Sequence, residues 1–131
     1  MEAAGLSRFD LLATCWGGPV AIEYAARHPE RVGRLVLYGT YARGRFRRQR
    51  PEEVEKARLL IELTRLGWGR ENHAFAQVWA STYQPGGSLD HFESWCDQQC
   101  AATSAETAVR LLEIGWDVDF RAAAQNVSVQ F

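Results

Sequence analysis

Phe9-Asp10-Leu11-Leu12-Ala13-Thr14-Cys15-Trp16-Gly17-Gly18 is the stretch whose reading decides the fold. An apolar run halts at Thr14-Cys15-Trp16, two glycines follow, and a helical pattern begins at Pro19. Residues 9–14 are short, apolar and bounded by turn signals, which reads as a buried strand. Residues 17–28 read as a helix, because Ala21, Tyr24, Ala25 and His28 recur at helical spacing and the alanines permit close approach to a sheet. Pro19 falls near the first turn, where its missing N–H costs little, and Pro29 stops the helix. Residues 32–38 read as a second strand with Leu35-Val36-Leu37 at its buried centre. Strand, helix and strand within about thirty residues form a parallel βαβ unit with a right-handed crossover.

The cysteine at the apex is the first candidate for chemistry. A tight strand-to-helix turn pushes its apex residue toward a strained backbone conformation and asks for small residues two positions either side. Ala13 and Gly17 occupy those flanks of Cys15. The helix that follows aims free N–H groups and its positive dipole end at the thiol, which favours the thiolate. The Trp16 N–H is placed to donate to an oxyanion. The bland alternative is that Cys15 is a small buried hydrophobe in an ordinary βα turn, and the flanking pattern argues against it.

Beyond the second strand the composition changes. Arg43, Arg45, Arg47, Arg48 and Arg50 crowd together, and Pro51-Glu52-Glu53 opens a helix with acids at its positive end. That helix runs to about Leu66, with Val54, Ala57, Leu60, Ile61 and Thr64 on one face, and Gly67-Trp68-Gly69 ends it. Further helices are expected near 71–83, 88–101 and 103–114, a short turn at 120–124, and the start of a strand at 127–131. Residues 1–4 read as the last turn of a helix closed by Gly5, so a preceding segment is expected to be missing. The domains expected are a partial sheet core at 1–43, a helical insert at 44–118 and a return segment at 119–131.

Composition narrows the function. The chain has 131 residues and a formal net charge of −1, which argues against nucleic-acid binding. No apolar run approaches the ~20 residues of a membrane span, and the N-terminus lacks a secretory signal. Three cysteines, Cys15, Cys96 and Cys100, without such a signal imply reduced thiols and a cytoplasmic protein.

Residues 13–21, Ala-Thr-Cys-Trp-Gly-Gly-Pro-Val-Ala, with residues 24–32, Tyr-Ala-Ala-Arg-His-Pro-Glu-Arg-Val, and 35–39, Leu-Val-Leu-Tyr-Gly, resemble the α/β-hydrolase fold family of esterase-like type. The resemblance covers that family's fifth strand, nucleophile elbow, following helix and sixth strand. The arginine-rich segment and the helices to about 118 resemble its cap insertion, and residues 127–131 the start of strand seven. The family pattern is G-x-S-x-G. Here Ala13 stands for the first Gly and Cys15 for the Ser, as in related hydrolases with a cysteine nucleophile. The fold implied is α/β, a partial parallel sheet with a helical cap. The chemistry implied is carboxylesterase-like hydrolysis of an ester or similar acyl substrate. Cys15 would be the nucleophile and Trp16 the backbone oxyanion donor, with no cofactor and no metal. The family's acid and His base follow strands seven and eight, so the chain is expected to be catalytically incomplete. The alternative is a non-catalytic ligand-binding or interaction remnant of the fold.

Other groups carry blander readings. His28 falls at the far end of the first helix, about 18–20 Å from Cys15 at 1.5 Å per residue, and neither His73 nor His91 fits the base. Cys96 and Cys100 share a helix face with no second ligand cluster, so they read as packing cysteines rather than zinc ligands. The arginine run reads as a solvated hinge neutralised locally by Glu52, Glu53 and Glu55. Trp68, Phe75, Trp79, Tyr83, Phe92, Trp95 and Trp116 either line an apolar acyl pocket or pack the insert's own core. The partners expected are a small apolar ester-like substrate, no nucleic acid, no membrane, and a second copy through an exposed strand edge.

Overall fold

A computed structural model describes residues 5–69 and 73–128. The helix end expected at residues 1–4 lies outside the described residues, as do residues 129–131 of the expected last strand. The fold is mixed α/β, with two parallel strands and several helices among the described residues. By backbone contacts the chain divides into two compact units, residues 1–48 with 115–131, and residues 49–114.

In the first unit β1 (Phe9–Thr14) pairs in parallel with β2 (Val32–Tyr38), and α1 (Gly17–Arg27) makes the crossover. The register sets Leu11 beside Leu35, Leu12 beside Val36, Ala13 beside Leu37 and Thr14 beside Tyr38, with an irregularity between Phe9 and Leu11. Alternation along the strands buries Ala13, Val32 and Leu35 on one face. There they meet Ala21 and Ala25 of α1, with Phe9, Leu11, Tyr24, Leu37 and Val127 packed around them. The small side chains of Ala21 and Ala25 let the helix backbone lie close to the sheet, as their spacing predicts. His28, expected on that face, is instead exposed and caps the helix, its N–H donating to Tyr24 O at 2.9 Å. Ile22 takes a buried position on α1.

The chain leaves and re-enters this unit through two short extended segments that bond to each other. Gly44 N–H donates to Val118 O at 2.8 Å and Phe120 N–H to Ala42 O at 2.7 Å, with Arg43 opposite Asp119 in an antiparallel bridge. Residues 44–48 and 115–118, expected in the insert, therefore belong to the first unit by their contacts. Gly44 lies so close to the Trp116 carbonyl that a Cβ there would overlap it. A short helix α6 (Arg121–Gln125) stands where a turn is expected and packs on α1. Val127 and Ser128, expected to open a strand, have irregular backbone.

The second unit is helical: α2 (Pro51–Gly67), α3 (His73–Ser81), α4 (Leu89–Ala102) and most of α5 (Ala105–Trp116). Ala57, Ile61 and Thr64 form the buried stripe of α2, and the Thr64 hydroxyl is satisfied by Leu60 O at 2.8 Å. Ser88 caps α4 by accepting from the His91 N–H, and Ser104 accepts from the Thr107 N–H. α3 packs against α4 and α2.

Candidate active site

β1 ends at Thr14 and α1 begins at Gly17, so Cys15 and Trp16 make the whole reversal. Cys15 has φ +45°, a left-handed conformation in which the Cβ of an L-residue crowds the backbone. Its side chain is exposed. Two peptide groups fix this posture from either side. The Cys15 N–H donates to Tyr38 O at 3.1 Å. The Cys15 carbonyl accepts from the Thr40 hydroxyl at 2.5 Å and from the Gly18 N–H at 3.3 Å. Both outside partners lie at the end of β2 and just beyond it, so the second strand holds the turn in place.

The tightest approach is displaced from where the flanking pattern puts it. A Cβ on Gly17 would sit 3.9 Å from the Ala13 Cβ, which is ordinary contact. A Cβ on Gly18 would overlap the Thr40 side chain outright. Gly18, rather than Gly17, is the position that only glycine fits. Sequence reading missed this because Thr40 is 25 residues away from Cys15 in the chain, and no local pattern links it to the turn.

Trp16 is half-buried, with its indole directly over Gly115, whose carbonyl accepts from the Tyr41 hydroxyl at 2.9 Å. Its N–H belongs to the start of α1, where the first amides have no acceptor within the helix. The site thus has a thiol and a helix N-terminus at one apex. Among the described residues no side chain hydrogen-bonds or ion-pairs with the Cys15 sulfur. His28 lies against Tyr24 with tilted rings, centroids 4.7 Å apart, and 3.9 Å from Glu30 at the opposite end of α1. His91 is exposed on α4 in the other unit, and the His73 side chain lies outside those described.

Two members of the arginine run, Arg43 and Arg47, meet acids that are distant in sequence. Arg47 forks onto Asp117, with Nε 2.8 Å from Oδ1 and a guanidinium nitrogen 2.9 Å from Oδ2. The Arg43 Nε lies 3.9 Å from Asp119. Asp119 is also gripped by Arg121, whose hydrogen bond holds the carboxyl at about 2, below its usual range. Arg45 lies over the Trp116 ring at 5.1 Å and Arg48 over the Tyr41 ring at 5.8 Å. Arg50 takes a nearby acid, Glu53 at 3.1 Å, one of the three acids expected to serve the run. Asp117 and Asp119 reach it because the chain returns there, a contact invisible to local spacing.

Of the remaining candidates, Cys96 is buried, and burial followed by its neighbours Cys100 and Asp97 pushes its thiol up to about 11. Cys100 accepts from the Gly69 N–H at 3.3 Å. Among the described residues no three of His, Cys, Asp or Glu gather to hold a metal ion. Nor is any described helix long and apolar enough to cross a membrane. The insert's aromatics touch one another in a chain. Trp68 meets Phe75 and Trp79, Trp79 meets Tyr83, and Tyr83 meets Trp95 at centroid distances of 5.5–6.4 Å. Phe75, Trp79 and Phe92 are buried, so they serve the second unit's own core.

A family model described as alpha/beta hydrolase fold matches residues 1–116. The chain is similar to 2-hydroxymuconate semialdehyde hydrolase of Pseudomonas putida, with 45% identity over 40 residues, 30% of this chain and 14% of that protein. The protein of the same description from Pseudomonas sp. (strain CF600) matches to the same extent. The aligned stretch is thus a small part of the length of these curated relatives. No solved structure matches the chain.

Proposed function

This chain belongs to the α/β-hydrolase fold family, and from that premise we propose that Cys15 is a nucleophile for hydrolysis of an ester or similar acyl substrate. The observation that carries the reading is the exposed thiol at φ +45° on a two-residue strand-to-helix turn. Backbone strain held in place by surrounding bonds is a mark of functional positions. In the reaction the Cys15 thiolate attacks the carbonyl carbon and a C–S bond forms while the carbonyl electron pair moves onto oxygen. The Trp16 N–H donates to that oxyanion. Collapse breaks the bond to the leaving alkoxide, which takes up a proton, and water then hydrolyses the thioester.

Attack by a neutral thiol would need a proton acceptor. No described side chain bonds to the sulfur, so the chain by itself is proposed to be at most a slow hydrolase. The base and acid of the working enzyme are proposed to come from outside the described residues. Three free thiols fit a reducing, cytoplasmic setting. The substrate class proposed is a small, largely apolar acyl compound. The relatives are hydrolases named for 2-hydroxymuconate semialdehyde, which makes that compound a second probe. Residues 49–114 are proposed to act as the cap of such an enzyme.

The unpartnered sulfur also supports a second reading, in which the turn binds a small ligand without turning it over. A chromogenic short-chain ester separates the two. The expected result is weak release of chromophore that disappears in Cys15→Ala. Release that survives the substitution overturns the nucleophile assignment, and saturable binding of the ester without release favours the ligand-binding reading.

A further inference from the structure

Thr40 is assigned no role by the turn's own sequence, yet it makes the shortest bond to it. Its hydroxyl donates to the Cys15 carbonyl at 2.5 Å, alongside the Gly18 N–H at 3.3 Å. That carbonyl and the Trp16 N–H are the two ends of one peptide group. No peptide bond of the described chain is cis, and in a trans peptide C=O and N–H point in opposite directions within one plane. Whatever fixes the oxygen therefore fixes the direction of the N–H. A donor on the oxygen also withdraws charge through the conjugated amide and makes its N–H a stronger donor, the polarisation that runs through hydrogen-bond chains.

We propose that Thr40 is a positioning residue that aims and polarises the Trp16 N–H through the shared Cys15–Trp16 peptide group. The proposal rests on the nucleophile reading for its meaning in catalysis but not for its geometry. Three observations converge on it. The Thr40 side chain fills the space that a Cβ on Gly18 would need, so its hydroxyl has little freedom to turn away. The Tyr38 carbonyl, two residues earlier, accepts from the Cys15 N–H at 3.1 Å, so the peptide on the other side of Cys15 is pinned by the same segment. Cys15 itself sits at φ +45°, a conformation that relaxes unless both neighbouring peptides are held.

The test uses the full chain, uniformly labelled with 15N, and three variants. Thr40→Val keeps the branched shape and removes the donor, and Thr40→Ser keeps the donor. The Trp16 amide nitrogen is expected to move upfield in Thr40→Val and to return in Thr40→Ser, while the Ala25 amide stays in place. An unmoved Trp16 signal in Thr40→Val, or failure of Ser to restore it, overturns the proposal. If Thr40→Val does not fold, Thr40→Ala must show the same displacement, and a wild-type signal there is equally fatal. Hydrolysis is read separately. Where the wild type turns over an ester, Thr40→Val should lower kcat about five- to tenfold with KM little changed, less than the ~100-fold typical of deleting an oxyanion donor. Absence of turnover in every protein would remove the hydrolase reading and leave the amide result standing.

Discussion

At the scale of single residues, the cost of the turn sits at Cys15. Left-handed backbone costs an L-residue about 1–2 kcal/mol, and glycine is spared it. Comparing Cys15→Ala with Cys15→Gly isolates that term, because both lose the thiol. The glycine variant should be the more stable by about 1 kcal/mol after its greater unfolded-state entropy is set against it, read as the difference in urea midpoints. Equal stability would mean that the turn is unstrained in solution. Gly18→Ala should be destabilising by about 1–3 kcal/mol through overlap with Thr40, whereas Gly17→Ala should be nearly neutral. The thiols differ too. Cys15 is exposed, while Cys96 is buried with its thiol pushed up to about 11. Iodoacetamide at pH 8 should therefore label Cys15 well before Cys96, as peptide masses would report. The apex could be read from sequence because two glycines and a proline mark where a strand must become a helix. Thr40 could not, because nothing local announces which residue of the next strand's end meets the turn.

Among the elements, helices α1 to α5 fall within a few residues of where periodicity and breakers put them, since each has an apolar stripe and a Pro, Gly or Ser at its ends. What local pattern could not supply is the pairing of residues 42–48 with 115–120. There Gly44 meets the Trp116 backbone, and Arg47 and Arg43 meet Asp117 and Asp119. The same return explains why Arg43 and Arg47, in a run that reads as a solvated hinge, meet distant acids. A pH dependence follows for the segment leading into α6. The Asp119 carboxyl is lowered from 3.8 to about 2, first by its side-chain hydrogen bond from Arg121. A lowered carboxylate stabilises the fold fully above 3.8, and that contribution is lost as pH falls toward 2. The Arg121 Nε–H resonance, whose bond to Asp119 is 2.8 Å, should hold its position down to about pH 4 and shift between pH 4 and 2. In Asp119→Asn it should not titrate in that window. A midpoint near the ordinary value of 3.8 would show that the fork is not populated.

At the scale of the whole molecule, the decisive fact is a parallel sheet with one covered face among the described residues. Parallel strands normally lie between two layers. Here β1 and β2 have α1 on one side, while Leu12, Val36 and Tyr38 on the other are 67%, 51% and 74% exposed. Among the described residues the sheet holds β1 and β2 alone, so each strand also has an outer edge with no described strand beside it, which is a template for association. Self-association through a strand edge is the partner expected from sequence, and the exposed apolar face adds to it. Strand dimensions set the scale: six residues at ~3.3 Å and two strands ~4.8 Å apart give a face of about 200 Å². A stable interface buries about 800 Å² per partner. Face contact alone is then too small for a tight dimer, and edge pairing must contribute to any lasting association. The expected behaviour is a weight-average mass that rises steadily with concentration rather than a single defined oligomer, measured by sedimentation equilibrium. Placing charge on the face while leaving the buried side intact, with Leu12→Lys and Val36→Lys together, should lower that rise without altering the α-helical circular dichroism. A wild-type chain that stays monomeric at every concentration and melts in one cooperative step would mean that the open face and edges are tolerated in water, and the association proposal would fail with it.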